Sequence, residues 1–225
     1  MKIKEFNSLY WRYYLTLESD FIKIEKYLEF DLGENYLYNG KKTTNIGNSL
    51  SYSVEFVKQY QAICSEIDVV FKVICKELGK RPKSGIDEYA KIILADEFWK
   101  NVCEQKIEFF DNIQLQPFYN WKETMSPCWW KSYNKVKHAR MHNFSQANLK
   151  NVLNALAGLF MLENYLIKYL ATNNDIANEE KGDTIDGKII DVPENPSRLF
   201  KMNNWDVNVR RHHRLDQRAG HRAGG

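Results

Sequence analysis

Apolar residues recur with helical spacing in three long stretches of this chain. The densest follows Leu149, where Val152, Leu153, Leu156, Leu159, Phe160, Leu166, Ile167 and Leu170 keep the i, i+3, i+4, i+7 rhythm of a helix that buries one face. Ala155 and Ala157 widen that face, Ser145 is the expected N-cap, and the Thr172–Asp175 polar run is the expected stop. A second stripe, Phe56, Val57, Tyr60, Ile63, Ile67, Val70, Phe71 and Ile74, predicts a helix from about Ser53 to Leu78, ended by Gly79. A third, Leu9, Tyr13, Leu17, Phe21, Ile24 and Leu28, predicts one from Phe6 to Phe30. A shorter helix is expected from Ile86 or Asp87 to about Trp99, and 101–111 either extends it or forms a strand-like piece. Residues 31–50 read as a long surface loop, and 114–127, with two prolines and three aromatics, as a loop packed onto the bundle. Near the C-terminus, Asp186-Gly187 between short apolar runs marks a small hairpin. The pattern therefore predicts an all-α bundle of about five helices, with long loops and that hairpin.

Composition changes this picture little. A chain of 225 residues that is 44% hydrophobic and 27% charged builds a core as one domain, here 1–175, with an extension over 176–208. No apolar run is long enough to span a membrane and no leader pattern opens the chain, so a cytoplasmic location is expected. Cys64, Cys75, Cys103 and Cys128 form no CxxC pair and read as free thiols in apolar surroundings. Charge is more informative. Residues 209–225 carry five arginines against one aspartate, so without them the formal charge of +3 becomes −1. This Gly-, His- and Arg-rich tail lacks apolar periodicity and reads as disordered, either a nucleic-acid-binding arm or a read-through extension.

Within the body, cations concentrate between Trp121 and Lys150. Lys122, Lys131, Lys135, Lys137, Arg140 and Lys150 face a single acid, Glu123, with aromatics and two histidines interleaved. Such a stretch can grip phosphates and stack bases, or form a solvated face beside a tryptophan anchor. His138 and His142 stand at i, i+4, a metal-ligand spacing, but no third ligand is evident, so neither metal nor cofactor is expected. Trp129 and Trp130, adjacent on a helix and about 100° apart, are expected to divide into one buried and one near-surface residue. Signatures of serine hydrolases, P-loop proteins, dinucleotide binders and zincins are absent, as is the ExxH of di-iron bundles.

WWKSYNKVKHAR, followed by a long Ala- and Leu-rich helix, resembles the HEPN superfamily of compact helical domains over 53–170. These occur in prokaryotic toxin–antitoxin and phage-defence systems, and many are metal-independent endoribonucleases. Their motif is an arginine, usually followed by a polar residue, with a histidine four to six residues on. The resemblance assigns the histidine to His138 and the polar residue to Asn134, while Tyr133 stands in the arginine slot. Lys131 is the nearest upstream cation and Arg140 lies beyond the histidine. The resemblance implies phosphate stabilisation by the arginine and proton movement by the histidine, and lysine lacks the bidentate fork of arginine.

Two readings follow. The favoured one is a non-catalytic HEPN-like binding or scaffold protein of a prokaryotic defence or mobile-element locus. The other is a metal-independent endoribonuclease with His138, Asn134 and Arg140 as catalytic residues and Lys131, Lys135, Lys137 and His142 on RNA. In it, His138, Lys131, Lys137 and Arg140 are expected to line one polar concave site, with Asn134 orienting the imidazole. Both readings expect RNA or a partner protein from the same locus, and a homodimer.

Overall fold

A computed structural model describes residues 1–32, 47–83, 85–109, 113–177, 184–185, 188–189, 193 and 195–202. The chain is mostly helical, as its apolar periodicity requires. Its axis is α7 (Leu149–Ala177), buried on nearly every side as far as Ala171. A helix apolar all round lies inside a protein rather than on it. Against it pack α3 (Val54–Glu77), α6 (Cys128–Asn143) and the N-terminal helical segment. Among the described residues no helix is long and apolar enough to cross a membrane.

The caps differ from expectation in instructive ways. Ser53 caps α3 as its position suggests, its hydroxyl accepting from Phe56 N at 3.1 Å. The cap of α7, however, is Asn148, whose Oδ1 accepts from Asn151 N at 3.1 Å, and not Ser145. Residues Phe144–Gln146 instead form a separate 3-10 turn. The polar run at 172–175 does not stop α7, which continues to Ala177.

The N-terminal segment runs as α1 (Ile3–Phe6), a π-helical turn (Asn7–Trp11), α2 (Arg12–Ile22) and a 3-10 turn (Lys23–Lys26). Leu17, Phe21 and Ile24 are buried as expected, but Leu9 and Tyr13 are exposed, and Phe6, Trp11 and Tyr14 fill the core instead. Each i, i+4 step overshoots a full turn by about 40°, so a Leu9–Tyr13–Leu17 row drifts off the buried face. The wider π turn re-phases the chain and brings Phe6 into line with Trp11 and Tyr14.

Helix α4 (Ile86–Ile93) stops short of Trp99, and a 3-10 turn (Lys100–Cys103) follows. Strands β1 (Ile107–Phe109) and β2 (Ile113–Leu115) pair antiparallel. A short helix, α5 (Trp121–Thr124), then leads toward α6. The expected hairpin is present as β3 (Thr184–Ile185) paired with β4 (Lys188–Ile189), while Asp186 and Gly187 lie outside the described residues. The last described strand, β5 (Phe200–Lys201), returns to pair antiparallel with β1, giving the order β2-β1-β5. Of the loop read over 31–50 only the ends are described, joined by Asn48 N donating to Asp31 O at 2.6 Å. The tail 209–225 also lies outside the described residues.

Candidate nucleic-acid interface

Helix α6 is fixed from its inner side. Trp129, Trp130, Tyr133 and Val136 are buried, and the Tyr60 hydroxyl of α3 donates to the Trp129 carbonyl. Both tryptophans are core residues, so the expected division between core and surface does not occur. The 100° between them is accommodated by two different neighbours. Trp129 meets Phe118 and donates from Nε1 to Pro117 O at 2.7 Å, whereas Trp130 packs on Phe71 and Tyr133. The aromatic 114–127 connection thus packs down on the bundle, as its composition predicted.

Burial of that stripe determines what faces outward. At about 100° per residue, Lys131, Asn134, Lys135 and His138 cluster on the side of α6 opposite the buried residues. Lys131, Lys135 and His138 are exposed and Asn134 is partly so. Lys137 is exposed although it follows Tyr133 by four residues on the same side, and its Nζ lies 5.8 Å from the Tyr133 ring centroid, a cation–π approach. Burial raises the Tyr133 phenol to about 12, with Cys64 and Asp68 adding to the effect, so it stays neutral beneath the lysine.

The helix is then interrupted. Ala139 has φ −143° and ψ 52°, outside helical values. In an unbroken helix residue 140 would continue the row of Trp129, Tyr133 and Val136 at i, i+4, i+7 and i+11. The break leaves Arg140 exposed, and Asn143 Nδ2 satisfies the Ala139 carbonyl at 2.9 Å. It also puts His142 across the break from His138, so the helical i, i+4 relation between them is lost. Among the described residues no group of three or more His, Cys, Asp or Glu could hold a metal ion.

The predicted set is therefore divided. Lys131, Lys135 and His138 share the outer face with Asn134, while Lys137 lies on the Tyr133 side. Arg140 lines a groove of about 610 Å³ with Val54, Val57, Lys58, Gln61, Met141 and Phe144, and none of the other predicted site residues lines it. No hydrogen bond joins the Asn134 and His138 side chains among the described residues.

What the cations share is the lack of a counter-charge. Several lysines elsewhere are paired within their own turn: Lys23 with Asp20, Lys58 with Glu55, Lys72 with Asp68, Lys91 with Glu88 and Lys100 with Glu97. Helix α6 contains no acid, and none of Lys131, Lys135, Lys137 or Arg140 is ion-paired among the described residues. Lys150, counted in the same cluster from sequence, differs. It is partly buried at the start of α7, and burial lowers the pKa of its amine.

The sequence did not single out the groove, and no apolar spacing over α6 signals it. No family model, curated protein or solved structure matches this chain.

Proposed function

We propose that this chain is a non-catalytic, HEPN-like helical binding protein that holds RNA along the outer face of α6. The observation that carries this reading is the row of exposed cations on a helix without a single acid, none of them ion-paired among the described residues, where Lys58, Lys72 and Lys91 on α3 and α4 each have an acid within their own turn. A phosphate backbone is the partner that releases counterions on meeting such a row. The reading extends to a cytoplasmic protein of a defence or mobile-element locus, acting as a homodimer with a partner protein from that locus.

The position that the resemblance gives to the family arginine favours binding over cleavage. Tyr133 there is buried, and the one arginine of the helix is turned into the groove, away from His138. One observation keeps the endoribonuclease as the second reading: His138 is solvent-exposed beside Lys131 and Lys135 on the same face.

Fluorescence anisotropy with a labelled 20-nucleotide RNA tests the first reading. Removing one phosphate-binding cation should flatten the slope of log K against log salt by about 0.7 for a single strand. Lys131→Gln with Lys135→Gln should thus flatten it by roughly 1.4. Unchanged affinity and slope in the double variant would defeat the reading. Cleavage of the RNA in EDTA, abolished by His138→Ala in a folded protein, would establish the nuclease instead.

A further inference from the structure

The groove beyond the α6 break differs chemically from the cationic outer face. Four of its lining side chains are aliphatic or aromatic, Val54, Val57, Met141 and Phe144, with Gln61 as an uncharged polar group among them. Met141 is 86% exposed and Val54 66%, and Leu50 and Tyr52 on the approach to α3 are half-exposed. Neighbouring large apolar side chains left this open are unusual on a protein surface unless something covers them. The groove has charge as well as shape. Its two cations are Lys58, paired with Glu55 at 2.6 Å, and Arg140, which has no acid partner among the described residues.

We propose that this groove docks an acidic amphipathic helix of a partner protein. Such a helix would lay apolar side chains from successive turns on Val54, Val57, Met141 and Phe144, and set a carboxylate on Arg140. The fork of a guanidinium matches a carboxylate bidentately, and helix-in-groove recognition reads apolar anchors at i, i+3/i+4 and i+7. Methionine suits the role because its unbranched side chain adapts to the surface laid on it. Charge complementarity selects the occupant. The chain's own C-terminal segment, 209–225, carries five arginines against one aspartate and would be repelled. An oligonucleotide would find one unpaired cation here, Arg140, and a single ring among the lining side chains, Phe144, too few contacts to hold a run of phosphates and bases. The inference is independent of whether the outer face of α6 carries RNA.

A phage-displayed library of random 16-residue peptides, selected on the full chain and counter-selected on Met141→Glu, is the direct test. The expected result is a set of peptides with net negative charge and apolar residues at helical spacing. Their binding should fall at least tenfold with Met141→Glu and with Arg140→Glu, each checked for a native circular dichroism spectrum and cooperative melting. Recovery of no peptide, of basic peptides, or of peptides indifferent to both substitutions overturns the proposal. So does displacement of the peptides by a U16 oligonucleotide at stoichiometric concentration, which would assign the groove to RNA. Light scattering after gel filtration covers the remaining occupant. A wild-type dimer that Met141→Glu converts to a monomer would assign the groove to a second copy of this chain.

Discussion

A single carboxyl, Glu163, sits where nothing in its surroundings rewards its charge. It is fully buried in α7, and neither carboxyl oxygen has a hydrogen-bond partner among the described residues. Burial pushes its pKa well above the ordinary value of 4.5, and Glu66 of α3 raises it further by repulsion. Glu66 is itself raised by burial, and both carboxylates raise the Tyr10 phenol of the π turn after burial has done so. The sign follows from proton binding. Above about pH 4.5 the unfolded chain ionises these groups while the folded protein still holds their protons. Stability is therefore greatest below that pH and falls as pH rises toward the folded-state values. Glu163→Met, which keeps the length and removes the charge, should raise the melting temperature at pH 8 by roughly 3–8 °C. The gain should shrink as pH is lowered to 5. A gain independent of pH would mean that Glu163 is not the group that titrates. The sequence did carry the signal, a lone acid within LFMLENYL. It could not say whether the acid sat at the rim of the apolar stripe or inside it, because α7 is covered on all sides.

At the scale of the element, α6 is held by a close approach to α7. A Cβ on Gly158 would lie 3.1 Å from Trp129 Cζ2 and 3.5 Å from Phe118 Cζ. Trp129 cannot retreat, because its indole N–H is bound to Pro117 and its ring packs edge-on against Phe118. Trp129→Ala should cost roughly 3–5 kcal/mol, and Gly158→Leu roughly 1–3 kcal/mol through overpacking. Together they should cost less than the two added, since the leucine fills the space the indole vacates. Urea unfolding of the four proteins measures that coupling, and strict additivity would show that the two residues do not meet. Such a close approach was not legible in the sequence, where Gly158 is a small residue inside a helical stripe. The stripes themselves were legible in α3 and α7 because long, dense apolar runs leave no other periodicity. They failed in the first helix, where a π turn shifts the phase without altering composition. Over α6 no stripe was read from the sequence, and the break at Ala139 has no signal in apolar spacing.

Across the whole molecule, the C-terminal segment is bound back onto the first helix by one buried carboxylate. Glu18, on the inner side of α2, accepts hydrogen bonds from the Ser197 hydroxyl, from Arg198 N at 3.0 Å and from Leu199 N at 3.2 Å. The Tyr14 hydroxyl donates to the same carboxylate at 2.8 Å, and Trp11 Nε1 donates to Asn195 O at 2.9 Å. Phe200 then packs on Phe109 and Phe160 while its strand pairs with β1. Residues nearly 180 positions apart thus share one polar clasp, a relation no local pattern encodes. In the sequence Glu18 is simply one acid of the run LESD. Glu18→Ala leaves the Arg198 and Leu199 N–H groups without this acceptor, while the Tyr14 and Ser197 hydroxyls, 3.0 Å apart, retain only each other. With bonds to a charged group worth about 1.5–3 kcal/mol each, and water replacing the acceptor in part once the segment loosens, a net loss equal to one such bond makes local detachment roughly 10–100 times more frequent. Trypsin reads this directly, because the side chain of Arg198 is exposed while the peptide bond after it is held in the clasp. Cleavage between Arg198 and Leu199 should accelerate by that factor in Glu18→Ala, with helical circular dichroism unchanged. Equal rates at Arg198 would mean that the aromatic contacts of Phe200, and not the carboxylate, hold the segment in place.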